Sequence, residues 1–356
     1  MEVGSFFEFS FLDSLHESYV RSIIKLQKTT LFKFQVEFYF SRMIDKNWGG
    51  VMGGYFDGCK CIINEEFKGF SYIIELSSEV YSKVSKYQKI EIVDTVPFRK
   101  VLITDGIVMI SEIDETIYHE MMVHVPGSIV PNPEKALVIG GGDGGVVREL
   151  SKYSTLKKIR LVEIDPEIVE ATQKYMSTWE GVNFDILEIV FEDGFKFVLE
   201  DNDVYDMILA DISAPIDIAK DIYSEEFFRN VYRLLSDNGT FVIQSESVFL
   251  TPKVSKFILN ILKNIFPFSG IYYVVIPSYI SPWSFVIGSK HTDPRYPRYT
   301  NMSSEHYENL KFYTKEVHTA SFALPNAVAK YIQQEEEIKF ENLLDRSGLD
   351  LLFRKI

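Results

Sequence analysis

Between Pro133 and about residue 290 the chain alternates short apolar runs with stretches of helical period. KALVIGGGDGGVVRELSKY reads as a buried strand, a glycine turn and the opening of a helix. KIRLVEIDPEIVEATQKYM is the next strand and helix, with Pro166 in the helix's first turn, where its missing N–H is harmless. FDILEIVFEDGFKFVLE and YDMILADI supply two further strands, with a short helix after Asp193-Gly194. EEFFRNVYRLLSDNGTFVIQSES predicts a helix stopped at Asn238-Gly239 and then a strand; one more helix and the strands VVIPSY and SFVIGSK follow. Such alternation predicts an α/β fold, a Rossmann-like doubly wound parallel sheet covered on both faces.

Upstream the period changes. YQKIEIVDT and RKVLITDGIVMIS are β-rich runs broken at Pro97 and at the turn signal Asp105-Gly106, and predict a small antiparallel sheet in front of the α/β domain. In EIDETIYHEMMVHVP, Ile117, Met121 and Val125 recur at helical spacing, so a helix ended by Pro126 is expected. The expected organisation is an accessory region over 1–82, in which FSYIIEL reads as a strand and Cys59-Lys60-Cys61 alternates across another; a small β domain with its linking helix over 83–132; a Rossmann-like domain over 133–330; and a helical tail over 331–356.

Charge narrows the partners. Asp and Glu number 51 against 37 Lys and Arg, a net of −14, which repels phosphate backbones and anionic lipid and favours a cationic small substrate. Neither nucleic acid nor a membrane is an expected partner. No apolar run reaches the roughly 18–20 residues of a bilayer span, and the acidic, aromatic start is unlike a signal peptide, so a cytoplasmic protein is expected. Cys59 and Cys61 are too close for an unstrained bridge, and His119 and His124, five apart, share no helix face, so no metal is expected.

The glycine run Gly140-Gly141-Gly142-Asp143-Gly144-Gly145 meets the G-x-G-x-x-G spacing directly after a strand and before a helix. Glu163 ends the next strand, where a carboxylate can accept both ribose hydroxyls. Together they indicate a nucleoside site. Asp143 inside the loop would oppose a pyrophosphate, so the better ligand is a nucleoside whose attached chain carries a cation, as in S-adenosyl compounds. Asp193-Gly194 is placed to cap an adenine amino group, and Asp211 projects over the sheet's C-terminal edge, where α/β sites lie.

LVIGGGDGGVVREL, LVEIDPEIVEA, EDGFKFV and YDMILADIS, with DETIYHEMMVHVP upstream, resemble the spermidine/spermine synthase (polyamine aminopropyltransferase) family. VIPSYISPWSFVIGSK and KFYTKEVHTASFALP extend the resemblance, which runs from roughly Ser85 to Ala329. It implies a class I S-adenosylmethionine-dependent transferase fold and transfer of an aminopropyl group from decarboxylated S-adenosylmethionine, the co-substrate, to an amine, releasing methylthioadenosine. It further implies that Gln88, Gly140, Gly142, Asp143, Gly145, Glu163, Asp193 and Gly194 bind the donor, with Glu163 on the ribose, Asp193 on the adenine and Asp143 on the ammonium of the aminopropyl arm. Asp211 would be the catalytic carboxylate, with Tyr118 and Tyr279 orienting the acceptor, and His119 stands where the family has Gln or His. Relatives are often dimers or tetramers, so a homo-oligomer, a dimer first, is expected.

The chemistry suits those roles. A sulfonium is already a good leaving group, whereas a primary amine with a pKa of ~10.4 is almost wholly protonated near neutrality and needs a proton acceptor. Asp143 would also discriminate between donors: two like charges ~4 Å apart at an effective dielectric of about 20 repel by about 4 kcal/mol, which disfavours the carboxylated sulfonium. One loop departs from the family pattern. After Asp211, the family's second aspartate is Ala214 and its Gly-Pro is Asp217-Ile218, while Glu75 replaces a donor-side Gln. Asp217 could substitute for the lost carboxylate. The acceptor therefore stays open between putrescine or another amine and a modified natural product; aminopropyl or 3-amino-3-carboxypropyl transfer to a non-polyamine acceptor such as a peptide or nucleotide natural product is one alternative, and a non-catalytic nucleoside-binding relative another.

Overall fold

A computed structural model of the chain describes residues 51–353, apart from 57–58, 68–69, 214–216, 337 and 345–347. Most of the accessory region expected over 1–82, together with Ala214, lies outside the described residues. Among those described, no helix is long and apolar enough to cross a membrane.

The first sheet is a six-stranded antiparallel meander in chain order: β1 (Val51–Phe56), β2 (Cys59–Phe67), β3 (Phe70–Val84), β4 (Lys89–Thr95), β5 (Arg99–Thr104) and β6 (Ile107–Ser111). Alternation along these strands splits their side chains between two faces. Ile90, Ile92, Leu102 and Ile110 face the α/β domain's core, whereas Val93, Val101, Ile103 and Val108 cluster with Ile62 and Ile74. The turn between β5 and β6 has Asp105 and Gly106 both at positive φ (48° and 79°), as a two-residue hairpin of this hand requires.

The domain boundary expected at 82/83 falls inside β3, which pairs with β2 through its first half and with β4 through its second. The small β domain therefore begins no later than β1. The second half of β3 is exposed or half-buried on both faces, so it lacks the apolar alternation that would have marked it as a strand.

Helix α1 (Glu115–Gly127) follows β6 and is buried along most of its length. It does not end at Pro126, which lies within its last turn; proline there removes one late donor, and Ser128 N closes the helix on His124 O at 3.0 Å.

The second sheet contains β7 (Lys135–Gly140), β8 (Lys158–Glu163), β9 (Leu187–Phe191), β10 (Tyr205–Asp211), β11 (Leu235–Ser247), β12 (Phe268–Val275) and β13 (Pro282–Ser289), in the order β12-β13-β11-β10-β7-β8-β9. The strands from β11 to β9 run parallel, but β13 is antiparallel to β11 and β12 to β13, so the sheet is mixed rather than wholly parallel. A tight turn at Pro277–Tyr279 joins β12 to β13, and without a crossover helix the two must form a hairpin.

Helices α2 (Gly145–Leu150), α3 (Pro166–Tyr175), α4 (Gly194–Glu200), α5 (Glu225–Leu234) and α6 (Pro252–Lys263) cover the two faces, each closing its own apolar core. Helix α5 stops at Leu234 rather than at Asn238-Gly239. That dipeptide sits within β11, where the register to β10 shifts between Tyr205 and Met207.

The tail expected over 331–356 is helical only in parts among the described residues. After α7 (Ser304–Glu308), α8 (Lys315–Ser321) and α9 (Asn326–Gln333), it forms a short turn at Phe340–Asn342 and then α10 (Gly348–Phe353). Leu343 and Leu352 are buried in the core beneath α6.

From β7 the chain winds outward to β8 and β9, then returns to β10 on the other side of β7. The reversal lies between β7 and β10, where Gly140 and Asp211 are register partners. Ligand crevices of open α/β sheets form at such a point.

Candidate active site

The glycine loop folds back on the end of β10. Gly140, at φ 73°, leaves no room for a side chain, since a Cβ there would lie 2.1 Å from Asp211 O; Gly141 N donates to that same carbonyl at 2.8 Å. A Cβ at Gly145 would lie 2.2 Å from the His119 ring, so the backbone of α2's first residue rests directly on that imidazole. Gly142 abuts the Glu163 carboxylate. Asp143 Oδ1 accepts from Gly145 N at 2.7 Å, which holds its carboxylate at the mouth of the loop.

Glu163, at the end of β8, accepts from Asp165 N at 2.9 Å. Burial pushes its carboxyl up to about 7, only partly opposed by backbone hydrogen bonds. Asp165, not identified from sequence, caps α3 through Glu167 N and accepts from Gln88 Nε2 (3.0 Å) and Ser85 Oγ (2.7 Å). Gln88 thus reaches the end of β8 from the β3–β4 loop by way of Asp165. Asp193 lies two residues past β9 and caps α4, accepting from Lys196 N at 3.0 Å, with Gly194 packed on Ile139 behind it.

Across the switch point, Tyr118 Oη donates to Asp211 Oδ1 at 2.5 Å, while Asp211 Oδ2 is buried with no partner among the described residues. Burial first, and then the charge of Asp143, raise Asp211 to about 7; His119 and the Tyr118 hydroxyl pull the other way. The Tyr118 phenol is itself pushed far up by burial and by Asp211, so it serves as a fixed donor. Tyr279 stands 6.5 Å from Tyr118 between ring centroids, and its hydroxyl donates to Met109 O. The turn carrying it is tied to Asp114, which accepts from Ser278 N (2.7 Å), Ser278 Oγ (2.9 Å) and Ser111 Oγ (2.7 Å).

His119 is fully buried, with Nδ1 2.5 Å from Glu115 Oε2 and Nε2 3.2 Å from Asp143 Oδ1. Glu115 is held in turn by both Arg148 amino groups at 2.8 Å. Burial opposes charge on the ring, but Asp143 and Glu115 outweigh it and raise His119 to about 10. Burial likewise works against Glu115's charge, yet His119 and Arg148 bring its carboxyl down to about 2. One ligand atom each from His119, Asp143 and Asp211 lies within 4.8 Å of the others, a spacing that also suits an ammonium.

The structure therefore gathers Gly140, Gly142, Asp143, Gly145, Glu163, Asp211, Tyr118 and His119 around one edge, with Gln88, Asp193, Gly194 and Tyr279 on its rim. Asp217 starts a short turn over Asp217–Tyr223, and its side chain lies outside the described residues. Glu75 is exposed on β3, in register with Cys61. Asp114, Glu115, Arg148 and Asp165 were missed. Glu115 and Arg148 stand in the two motifs DETIYHE and GGVVREL, but no spacing rule links those motifs.

Residues 115–300 match the spermine/spermidine synthase domain, and residues 62–112 the spermidine synthase tetramerisation domain. A polyamine aminopropyltransferase of Bacillus cytotoxicus is 37% identical over 273 residues, 76% of this chain and 98% of the relative. That of Moorella thermoacetica is 38% identical over 269 residues, 75% of this chain and 94% of the relative. Among solved structures, a spermidine synthase in complex with the transition-state analogue AdoDATO superposes with a TM-score of 0.69 at 31% identity, covering 82% of this chain and 98% of that one. The Thermotoga maritima spermidine synthase gives 0.66 at 31% identity with the same coverage.

Proposed function

The chain belongs to the spermine/spermidine synthase family, and from that premise we propose that it is an aminopropyltransferase taking its group from decarboxylated S-adenosylmethionine and placing it on an amine. The observation that carries this reading is the Tyr118–Asp211 pair, whose open, buried oxygen sits at the switch point beside the glycine loop that carries Asp143. The sulfonium needs no activation. The acceptor amine does, and Asp211 Oδ2 is the open proton acceptor: it takes the amine proton as nitrogen attacks the methylene carbon. The carbon–sulfur bond breaks with its electron pair going to sulfur, which leaves methylthioadenosine.

In this reading Glu163 holds the ribose hydroxyls, Asp193 the adenine, Gln88 braces the donor side through Asp165, and Asp143 receives the arm's ammonium. Tyr118, Tyr279 and Asp217 face the acceptor. A dicationic amine such as putrescine fits the acidic surface and the two carboxylates near the site. The match to a tetramerisation domain supports assembly of more than one copy through the six-stranded sheet, and a cytoplasmic setting accords with such an enzyme.

Mass spectrometry of reactions with the carboxylated or decarboxylated sulfonium and a panel of amines tests the reading. The expected result is methylthioadenosine release, with an acceptor heavier by one aminopropyl unit, from the decarboxylated donor alone. Release from neither donor with any amine would overturn it.

A further inference from the structure

Asp143 already has a cationic neighbour. The His119 ring is 0% exposed, and its Nε2 is aimed at Asp143 Oδ1 from 3.2 Å without an aligned hydrogen bond to any described residue. Its other nitrogen is fixed by Glu115, which two Arg148 nitrogens hold in place. The groups facing this ring are Asp143 from the glycine loop, Asp211 from β10, and Glu115 and Tyr118 from its own helix, Tyr118 edge-on at 5.2 Å; from α2 the Gly145 backbone lies against it, and Arg148 and Glu149 stand behind Glu115.

A donor whose arm ends in an ammonium, as the reading above requires, must put a second cation on the same carboxylate. Two positive charges sharing Asp143 in a buried site repel each other. The ring can remove the conflict by losing its Nε2 proton. Glu115 fixes which nitrogen keeps its hydrogen, so the vacated Nε2 lone pair then faces the incoming ammonium as a hydrogen-bond acceptor.

We propose that Glu115, clamped by Arg148, is a positioning residue that keeps His119 cationic as the resident partner of Asp143, and that the donor's ammonium takes over Asp143 with release of the His119 proton. This rests on the aminopropyl-transfer reading. Donor affinity then depends on pH with a fixed sign. Below the ring's value of about 10, each unit of acidification weakens donor binding about tenfold, because the proton must be expelled first. Methylthioadenosine has no ammonium arm and releases nothing.

The test is calorimetry with decarboxylated S-adenosylmethionine in two buffers of different ionisation enthalpy, at about pH 8.5, where Asp211 (about 7) is already ionised and releases little. Wild type is expected to release close to one proton with the donor and none with methylthioadenosine. His119→Gln, which keeps a polar side chain of similar reach but cannot titrate, is expected to release none, and its donor affinity to be flat across that pH range. NMR of the free protein adds a readout that packing alone does not move: the His119 ring charged at pH 8.5 in wild type, and losing its charge at a lower pH in Glu115→Gln than in wild type. Donor binding and turnover without proton release, or a neutral His119 in the free wild type, overturns the inference and leaves the transfer reading intact. Proton release without turnover does the reverse, and failure of the donor to bind removes both.

Discussion

In the proposed transfer Asp211 must be ionised enough to take a proton and buried enough to want one, and Tyr118 sets the balance. The hydroxyl's 2.5 Å bond favours the carboxylate, so Tyr118→Phe removes a charge-assisted hydrogen bond of about 1.5–3 kcal/mol, equivalent to one to two pH units. Transfer rate in wild type is expected to fall tenfold per unit below Asp211's value of about 7, since only the ionised form accepts. In Tyr118→Phe that acidic limb moves to higher pH, and an unmoved limb in single-turnover rates would remove Tyr118 from this role. Asp211→Asn is expected to lose transfer while keeping affinity for methylthioadenosine. Glu163 poses the same conflict for stability. Its carboxyl stands at 4.5 when unfolded and about 7 when folded, so the native state is penalised as pH rises above 4.5, and fully once pH has passed 7, by at most ~3.4 kcal/mol. Glu163→Gln is expected to melt higher at pH 8, to show no gain near pH 4, and to bind methylthioadenosine at least tenfold more weakly. A lower melting point at pH 8 would contradict the burial penalty.

At the scale of elements, the turn between β12 and β13 depends on a residue far from it in sequence. Ile280, β-branched and at φ 58°, is in the left-handed region, a strained state that persists only where neighbours hold it. Asp114 supplies that hold through Ser278. Asp114→Ala is expected to destabilise the fold by about 2–4 kcal/mol and to lower kcat through a displaced Tyr279, with methylthioadenosine affinity little changed; Asp114→Asn, which keeps one oxygen acceptor, falls between. Equal losses of kcat and inhibitor affinity would instead mean general unfolding of the site. The glycine loop and the acid beside it were legible in the sequence because glycines, strand end and acid are spaced by one βαβ unit, a local rule. The Glu115–Arg148 clamp and the Asp114–Ser278 tie bridge elements that only the tertiary fold brings together. The misplaced element ends have local causes of the same kind. Asn238-Gly239 reads as a helix stop but is taken up by an irregular strand, and the half-exposed β3 shows no apolar period across residue 82.

For the whole molecule, charge and topology act on the same point. The sheet's winding brings Gly140 and Asp211 together whatever the surface carries, so the net −14 is not needed for the fold; it acts on what approaches. That charge excess was legible from composition alone, whereas the extent of the first sheet was not, because β3, the strand that joins its two halves, is largely exposed. An acidic surface of this size attracts a di- or polycationic acceptor over distances comparable to the Debye length, about 8 Å at physiological salt and longer in dilute buffer. Raising ionic strength from about 0.02 to 0.3 M is therefore expected to lower kcat/KM for a diamine about 3- to 10-fold, while kcat, set by contacts inside the buried site, changes little. Inhibition by methylthioadenosine, a neutral ligand for the same cradle, is the internal control and is expected to stay constant over the series. A kcat/KM that ignores salt, or one that falls in step with inhibitor affinity, would mean that the surface field contributes nothing to acceptor capture. Selection of the amine would then reside wholly in the buried carboxylates.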